Sequence, residues 1–284
     1  MQNTEISTYD FNNKQTALGV EIIDLSRIMR LKDVALKAHR LNFYQIIVVT
    51  AGRGVHEVDF QEIAYAENTV IPIAKGQVQR FSYNPKLKGY AIVFRPDFLI
   101  KEDLDYSYLY DFTIFLHTIN PISTVANRAV YTLMDEMMAE QQQKGEFNTV
   151  EYQRNLLKNF LIQIERNKRQ SSRIVCPDSL EMFLKFRHLL EDKLDYKLRV
   201  MDLCEQLHVS EKQLNASIKQ CQNTTAKKYI DDRILLEIKR LLVHSTLSIK
   251  EIAYHIGFDD PTNFTKYFKT RTKMLPSAYR QQNE

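Results

Sequence analysis

Two stretches near the end of this 284-residue sequence place polar and basic side chains opposite apolar anchors at helical spacing. Phe264 and Phe268 are four residues apart, as are Leu214 and Ile218, so each pair is predicted to face inward from its own helix. The polar positions of the two helices then face outward. These positions are Glu211, Lys212, Asn215, Ala216 and Lys219 in the earlier helix and Thr262, Asn263, Lys266 and Lys269 in the later one.

Most of the outward side chains have the chemistry to contact double-stranded DNA. An asparagine such as Asn263 can pair bidentately with adenine, and a lysine such as Lys266 can bond to O6 and N7 of guanine. Thr262 can contact a thymine methyl group or a phosphate. Lys219 and Lys269 directly follow the apolar anchors, so we assign them to phosphate contacts. For any single position, the alternative is a solvated helix face.

The two helices belong to a sequence repeat with a period of about 50 residues. Leu203 and Leu207 precede the earlier helix, and Ile252 and Ile256 precede the later one in the same arrangement. Each unit, at about 200–220 and 249–270, therefore has the layout of a helix-turn-helix. The alternative is a generic all-helical domain that contains two similar helical hairpins.

Local signals agree with this layout. Ser210 and Gln213 are spaced as a capping box, and Asp260 precedes Pro261 as an N-cap precedes a proline at the first helical position. Between the units, Ala226–His244 has one apolar stripe and is predicted to be a single helix. At ~1.5 Å per residue it spans roughly 28 Å, close to the ~34 Å between successive major grooves on one face of DNA. One chain could thus read an asymmetric site, and a dimer could read two.

The charge is distributed unevenly along the chain. The formal net charge is +4, but it is about −2 for residues 1–160 and about +6 for residues 161–284. A basic second half indicates a polyanionic partner. A solvated charged surface is the alternative.

The first half has the pattern of a small β-domain. Residues 43–50 form an apolar run, and the two glycines within 51–54 indicate that a hairpin follows it. Residues 55–60 alternate with period two, as in a half-buried strand. Two further strands, separated by a turn at 84–85, are predicted at 70–73 and 90–94. Short strands at this spacing favour an antiparallel barrel or sandwich.

Two amphipathic helices are predicted after the strands. Their apolar positions are Ala126, Ala129, Val130, Leu133, Met134 and Met137 in one and Leu156, Leu157, Phe160, Leu161 and Ile164 in the other. Such faces are either core or a contact between subunits, and this is the basis for expecting a homodimer. The polar, basic run that follows predicts a linker at 166–177. We therefore expect an α+β chain with domains at 1–165 and 178–284.

The composition excludes several classes of protein. Seven glycines form no GxGxxG, Walker-type or GxSxG motif, which argues against nucleotide-dependent enzymes and serine hydrolases. Three cysteines are too few and too scattered for a disulfide framework or a zinc cluster. No apolar run approaches the ~20 residues of a membrane helix, and the first twenty residues lack a secretory signal. We expect a cytoplasmic protein without a cofactor and without a membrane partner.

Residues 248–260, 263–269 and 276–280 resemble the signature of AraC-type bacterial transcription regulators. The resemblance covers the last ~100 residues and is stronger in the second unit. Ala226 stands where the family often has a proline, and Asn223 and Lys273 stand near common glycines. The resemblance implies a sequence-specific DNA-binding regulator, an activator, with promoter DNA and RNA polymerase as partners.

The first half is similar to the cupin-like domain that many members carry, which senses a small-molecule effector or mediates dimerisation. Metal-dependent cupins use histidine and glutamate ligands on this sheet. Here only His39 fits that pattern, because Leu41, Gln45 and Gln79 occupy the other ligand places. One ligand of four cannot hold a metal site, so we expect a non-metallic, non-catalytic domain in which His39 is structural.

Two other functions stay open at this point. A protein-interaction adaptor would use the basic half to contact an acidic partner, and its binding would be insensitive to competitor DNA. A cupin-type enzyme fused to a helical module would contain bound metal.

Overall fold

The computed structural model describes residues 8–9, 19–30, 37–99, 109, 112–115, 124–143, 147–171 and 177–283. They belong to two compact units, Thr8–Arg173 and Ile174–Glu284. Within these described ranges, no helix combines the length and the apolar character that a membrane span requires.

The first unit contains two five-stranded sheets, as the alternation of short apolar runs predicted. Their orders are β1-β3-β8-β5-β6 and β10-β7-β4-β9-β2. The pairs are antiparallel apart from the short β1–β3 pair, which is parallel. The strands are β1 Thr8–Tyr9, β2 Val20–Asp24, β3 His39–Leu41, β4 Tyr44–Ala51, β5 Gly54–Val58, β6 Gln61–Tyr65, β7 Thr69–Ile73, β8 Val78–Phe81, β9 Lys88–Phe94 and β10 Thr124–Val125.

The hairpin predicted at residues 51–54 is wrong. Strand β4 pairs with β7 and β9, whereas β5 pairs with β6 and β8 in the other sheet. Because both edges of β4 are occupied, the glycine-containing connection leads from one sheet to the other, and Gly52 turns the chain with a φ of 98°. The tight hairpin instead joins β5 to β6 through Asp59 and Phe60, both with positive φ, which favours a type I′ turn.

Strand β4 has an unbroken apolar run at residues 46–49 because both of its faces are covered. Ile47 and Val49 point into the space between the two sheets, with α1 Leu25–Arg30 packed on that side. Ile46 and Val48 point to the other side, where α2 Pro96–Leu99, α3 Arg128–Gln142 and α4 Thr149–Ser171 pack.

The apolar faces predicted for α3 and α4 lie in the core of the first unit. Fully or almost fully buried there are Ala126, Val130, Met134, Met137, Leu156, Leu157, Phe160, Leu161 and Ile164. Ala126 precedes the N-cap of α3, and Ala129 and Leu133 are half-buried. These faces stabilise the chain itself, so the reading of them as core is confirmed.

Helix α4 extends through the first part of the predicted linker, since residues 166–171 are helical. Its end is held by polar contacts, because Glu165 accepts hydrogen bonds from Thr113 Oγ1 at 2.7 Å and from Ile114 N–H at 3.0 Å. Lys168 Nζ donates to Thr113 O at 2.6 Å. The polar composition of 166–171 therefore reflects a helix end rather than a linker. Residues 172–176, which include Cys176, lie outside the described residues, and the domain boundary stays a prediction.

The second unit is helical throughout its regular elements. Helix α8 has the bounds predicted for the helix between the two repeats. The helices are α5 Pro177–Asp192, α6 Val200–Leu207, α7 Glu211–Gln222, α8 Ala226–His244, α9 Ile249–His255, α10 Pro261–Thr272 and α11 Pro276–Asn283.

Candidate nucleic-acid interface

Helices α6 and α7 form the first helix-turn-helix. The chain leaves α6 at His208, which adopts the left-handed conformation with a φ of 53°. Ser210 and Gln213 then form the predicted capping box, with Gln213 N–H donating to Ser210 Oγ at 3.3 Å and Ser210 N–H donating to Gln213 Oε1 at 3.0 Å. Leu214 and Ile218 are completely buried. The outward face of α7 is thereby fixed.

Helices α9 and α10 form the second helix-turn-helix. Helix α9 begins with a further capping box, Ser248 with Glu251, which the sequence analysis did not identify although its Ser-x-x-Glu spacing is the signal for one. Asp260 accepts a hydrogen bond from Thr262 N–H at 2.7 Å, and Pro261 is the first residue of α10, as predicted. Phe264 and Phe268 anchor α10 in the core and are completely buried.

Eight of the nine predicted contact residues are solvent-exposed on α7 or α10, the second helix of their helix-turn-helix. The exposed residues are Glu211, Lys212, Ala216 and Lys219 on α7 and Thr262, Asn263, Lys266 and Lys269 on α10.

Asn215 is the exception, because it is not fully exposed. Its side chain is half-buried, and Oδ1 accepts a hydrogen bond from Ala226 N–H at 2.8 Å. The first N–H groups of a helix have no partner within the helix, so Asn215 satisfies one of them at the start of α8. Spacing within α7 could not reveal a partner eleven residues further along the chain.

Contacts between α8 and α10 hold the second recognition helix in place, and sequence reasoning missed them. The Arg271 guanidinium lies 3.6 Å from the centre of the Tyr267 ring and donates to Asp231 at 3.0 Å. Tyr267 OH donates to the carbonyl oxygen of Asp231 at 3.3 Å. Burial, together with the nearby Asp231 carboxylate, raises the pKa of Tyr267, so its hydroxyl stays protonated and able to donate.

A buried ionic network joins α5 to α8. Arg233 donates to both carboxylate oxygens of Glu191, at 2.7 and 2.8 Å, in a bidentate pair. Glu237 contacts Arg233 at 3.3 Å and Arg240 at 3.0 Å, and Arg240 is completely buried. Helix α5 in turn packs against α7. The network therefore helps to hold α7, the second helix of the first helix-turn-helix, in place against α8.

In the first unit, His39, Gln45 and Gln79, which the sequence analysis compared with the ligand places of cupins, come together in a buried polar cluster. Gln79 accepts from His56 Nε2 at 3.0 Å and donates to Gln45 at 2.9 Å, and its amide nitrogen lies 3.2 Å from His39 Nε2. His56 joins this cluster from β5, because the alternation of that strand turns it inward with Val58. His56 is not among the residues predicted for this cluster. The described residues contain no group of three or more histidine, cysteine, aspartate or glutamate side chains suited to a metal ion.

The two imidazoles of this polar cluster are neutral at neutral pH. Burial lowers the pKa of His56 to about 4, and burial also lowers the pKa of His39. His56 Nδ1 is buried and has no hydrogen-bond partner among the described residues. The hydrogen bond to Gln79 uses Nε2, so Nδ1 is the unprotonated, accepting nitrogen.

This depressed pKa predicts a loss of stability in acid. An unfolded histidine has a pKa of 6.5, so the folded state binds this proton more weakly than the unfolded chain does. The contribution of His56 is present in full above pH 6.5, and about 3 kcal/mol of it is lost as the pH falls towards 4. Urea unfolding across that range should show a flatter pH dependence in His56→Gln than in the wild type. Parallel pH profiles for the two proteins would contradict the assignment.

Comparisons with known proteins agree with this arrangement. Residues 30–158 match the family profile of an AraC-like ligand binding domain, and residues 203–282 match that of a helix-turn-helix domain. The HTH-type transcriptional activator RhaS of Escherichia coli O157:H7 is 23% identical over 265 residues, which cover 89% of this chain and 90% of RhaS. RhaS of Escherichia coli strain K12 / DH10B gives the same identity and coverage.

Solved structures of ToxT from Vibrio cholerae are also similar over most of the chain. One of them is 14% identical, covers 93% of this chain and 98% of its own, and has a TM-score of 0.44. The two family profiles match the two units in the order in which the structure has them. The chain belongs to the AraC-type family of DNA-binding transcription regulators, with an AraC-like ligand-binding domain followed by a helix-turn-helix domain.

Proposed function

We propose that this regulator reads an asymmetric DNA site by inserting α7 and α10 into successive major grooves on one face of the duplex. The observation that carries the proposal is that both second helices expose polar and basic side chains while their apolar anchors are buried in one helical unit. Helix α8, with 19 residues, joins the two helix-turn-helix motifs. Its length of roughly 28 Å is close to the ~34 Å spacing of major grooves.

The roles of the individual side chains follow from their chemistry. On α10, Asn263 and Lys266 contact base edges, and Thr262 contacts a thymine methyl group or a phosphate. Lys219 and Lys269 directly follow buried anchors and contact phosphate.

On the first recognition helix, α7, three exposed side chains face the DNA in addition to Lys219. These are Glu211, Lys212 and Ala216. Asn215 has a different role, since its Oδ1 is already bonded to Ala226 N–H. It positions α7 relative to α8 and leaves only its amide nitrogen for the DNA.

The first unit senses a small-molecule effector or mediates dimerisation, and it is not a catalytic domain. The effector role is supported by the match of residues 30–158 to an AraC-like ligand binding domain. The non-catalytic role is supported by the polar cluster, in which His39, His56 and Gln45 are all directed at Gln79. Dimerisation would need surfaces other than the apolar faces of α3 and α4 that are buried in this unit.

The sign of regulation is activation, and RNA polymerase is the partner that activation requires. The support for this is the description of the RhaS relatives as transcriptional activators. A regulator of this kind works where the chromosome is, which supports a cytoplasmic location. The same proposal assigns effector sensing or dimerisation to residues 1–165 and DNA binding to residues 178–284.

The test is binding of the purified full chain to the DNA upstream of its own and neighbouring genes. Random-sequence DNA is the competitor, and the salt concentration is varied. Specific binding should exceed binding to the competitor by about 10³-fold or more, and the affinity should fall steeply with salt because lysine–phosphate contacts release counterions. Equal affinity for both DNAs, with and without added cell metabolites, would contradict the proposal.

A further inference from the structure

The loop between α5 and α6 contacts the turn of the second helix-turn-helix, although this loop precedes the first helix-turn-helix in the chain. Tyr196 N–H donates to the carbonyl oxygen of Ile256 at 2.9 Å. The Tyr196 ring stacks on Phe258 with a centroid separation of 3.6 Å and an interplanar angle of 20°. The Tyr196 ring is also nearly perpendicular to the ring of Tyr267 on α10, with a centroid separation of 5.3 Å. Tyr196 thus touches both the turn and the recognition helix that follows it.

The residues on either side of Tyr196 contact the same turn. Lys197 Nζ donates to Asp259 at 2.7 Å. The Asp195 carboxylate lies directly over Gly257, where even the Cβ of an alanine would overlap it. Gly257 also has a φ of 96°, so this position requires glycine both for its backbone conformation and for the space that a side chain would fill. The turn and the loop are therefore closely fitted to each other.

These contacts complete a second mechanical connection between the two recognition helices. The first connection is α8, which contacts α7 and bonds to α10 through Asp231. The second runs from α7 to α5, which packs against it, and then through Asp195–Lys197 to the turn before α10. Helices α9 and α11 pack against both α8 and α10, so without the second connection the orientation of the second helix-turn-helix relative to α7 would be set through α8. The two connections together fix both the distance and the orientation of α10 relative to α7.

We propose that Asp195, Tyr196 and Lys197 form a positioning clamp that sets the half-site spacing this regulator accepts. This inference rests on the proposed insertion of both α7 and α10 into DNA. Inserting one base pair between the half-sites moves the second by about 3.4 Å along the helix axis and rotates it by about 35°. A clamped pair of helices rejects that change, whereas an unclamped pair can follow part of it.

The experiment measures the affinity of the full chain for three duplexes. One carries the bipartite site that the wild-type protein selects from a random DNA library. The second carries the same site with one base pair inserted between its halves, and the third carries the α10 half-site alone. The wild type should prefer the first duplex to the second by about 30-fold or more. In Tyr196→Ala and Lys197→Ala this ratio should fall by about fivefold or more, while affinity for the lone half-site stays unchanged.

Matched variants separate positioning from mere loss of stability. Lys193→Ala removes a lysine of the same loop that bonds to Gln206 in the first helix-turn-helix and not to the second, so it should keep the wild-type ratio. Tyr196→Phe keeps the ring stacked on Phe258 and should restore the ratio. Partial unfolding would lower the affinity for all three duplexes equally and leave the ratio intact. Because Lys197 is 59% exposed, Lys197→Ala is expected to fold even where Tyr196→Ala does not.

Different results would contradict the insertion of both helices and the clamp. A wild-type protein that binds the first two duplexes equally would overturn the insertion of both helices. A wild-type protein that discriminates the spacing, together with Tyr196→Ala and Lys197→Ala variants that discriminate it equally well, would overturn the clamp alone.

Discussion

Replacing Lys266 with alanine is expected to weaken binding to the specific DNA site by about ten- to hundredfold. Lys266 is exposed on α10 between two buried anchors, Phe264 and Phe268, which fix the direction in which the helix presents it. Its backbone carbonyl accepts a hydrogen bond from Thr270 Oγ1, but its ammonium group forms no hydrogen bond or ion pair with the other described residues and is available to the DNA.

The pattern of the loss identifies what Lys266 touches. A contact with guanine O6 and N7 predicts that Lys266→Ala relaxes the preference at one base pair of the site. A phosphate contact predicts a uniform loss across sequences and a decrease of about one in the slope of log affinity against log salt. Titrations of a short panel of single-base variants at several salt concentrations distinguish the two.

Lys185→Ala is the matched control, because Lys185 is an exposed lysine of the same unit that lies on α5 and pairs with Glu181. It removes the same charge from a helix to which we assign no DNA contact. Equal losses of affinity in the two variants would mean that Lys266 acts only through its charge and not through a specific contact with the DNA. No change in either affinity or salt dependence for Lys266→Ala would show that α10 does not contact DNA through this face.

Replacing Glu237 with alanine is expected to destabilise the second unit by about 3–5 kcal/mol. Glu237 is the carboxylate that contacts Arg240 and Arg233, and Arg240 is completely buried. A buried guanidinium that loses such a carboxylate keeps the cost of desolvation without the compensating attraction. Urea unfolding of the full chain, followed by a probe in the second unit, measures the loss.

Lys228→Ala is the control for this prediction. Lys228 lies on the same helix and pairs with Asp232 at 2.8 Å, but its side chain is 66% exposed. Loss of such a surface pair should change the free energy of unfolding by only about 0.3–0.5 kcal/mol. A Glu237→Ala protein as stable as Lys228→Ala would mean that the buried network contributes little to the second unit.

The parts of the fold that follow from local signals were predictable from the sequence. The capping box at Ser210, the Asp260–Pro261 helix start and the full extent of Ala226–His244 depend on residues close together in the chain. The outward face of α10 was predictable for the same reason, since Phe264 and Phe268 determine it within one helix turn.

The predictions that were wrong or incomplete concern contacts between residues that are far apart in the sequence. The hairpin prediction at 51–54 rested on two glycines, but pairing is decided by which strand edges are already occupied. The hydrogen bond from Ala226 N–H to Asn215 joins residues on two different helices, so the spacing within α7 does not predict it. The helical end of α4 depends on Thr113, more than fifty residues earlier. The role of His56 was not predicted because Gln79, to which it is hydrogen-bonded, lies on another strand.

Hydroxyl-radical footprinting on the upstream DNA shows whether one chain inserts α7 and α10 into successive major grooves. We expect two protected segments on one face of the duplex, with centres about 10–10.5 base pairs apart. Lys266→Ala should weaken the protection of one segment more than that of the other. A single protected segment of one half-site, at protein concentrations that saturate the DNA, would rule out this mode of binding.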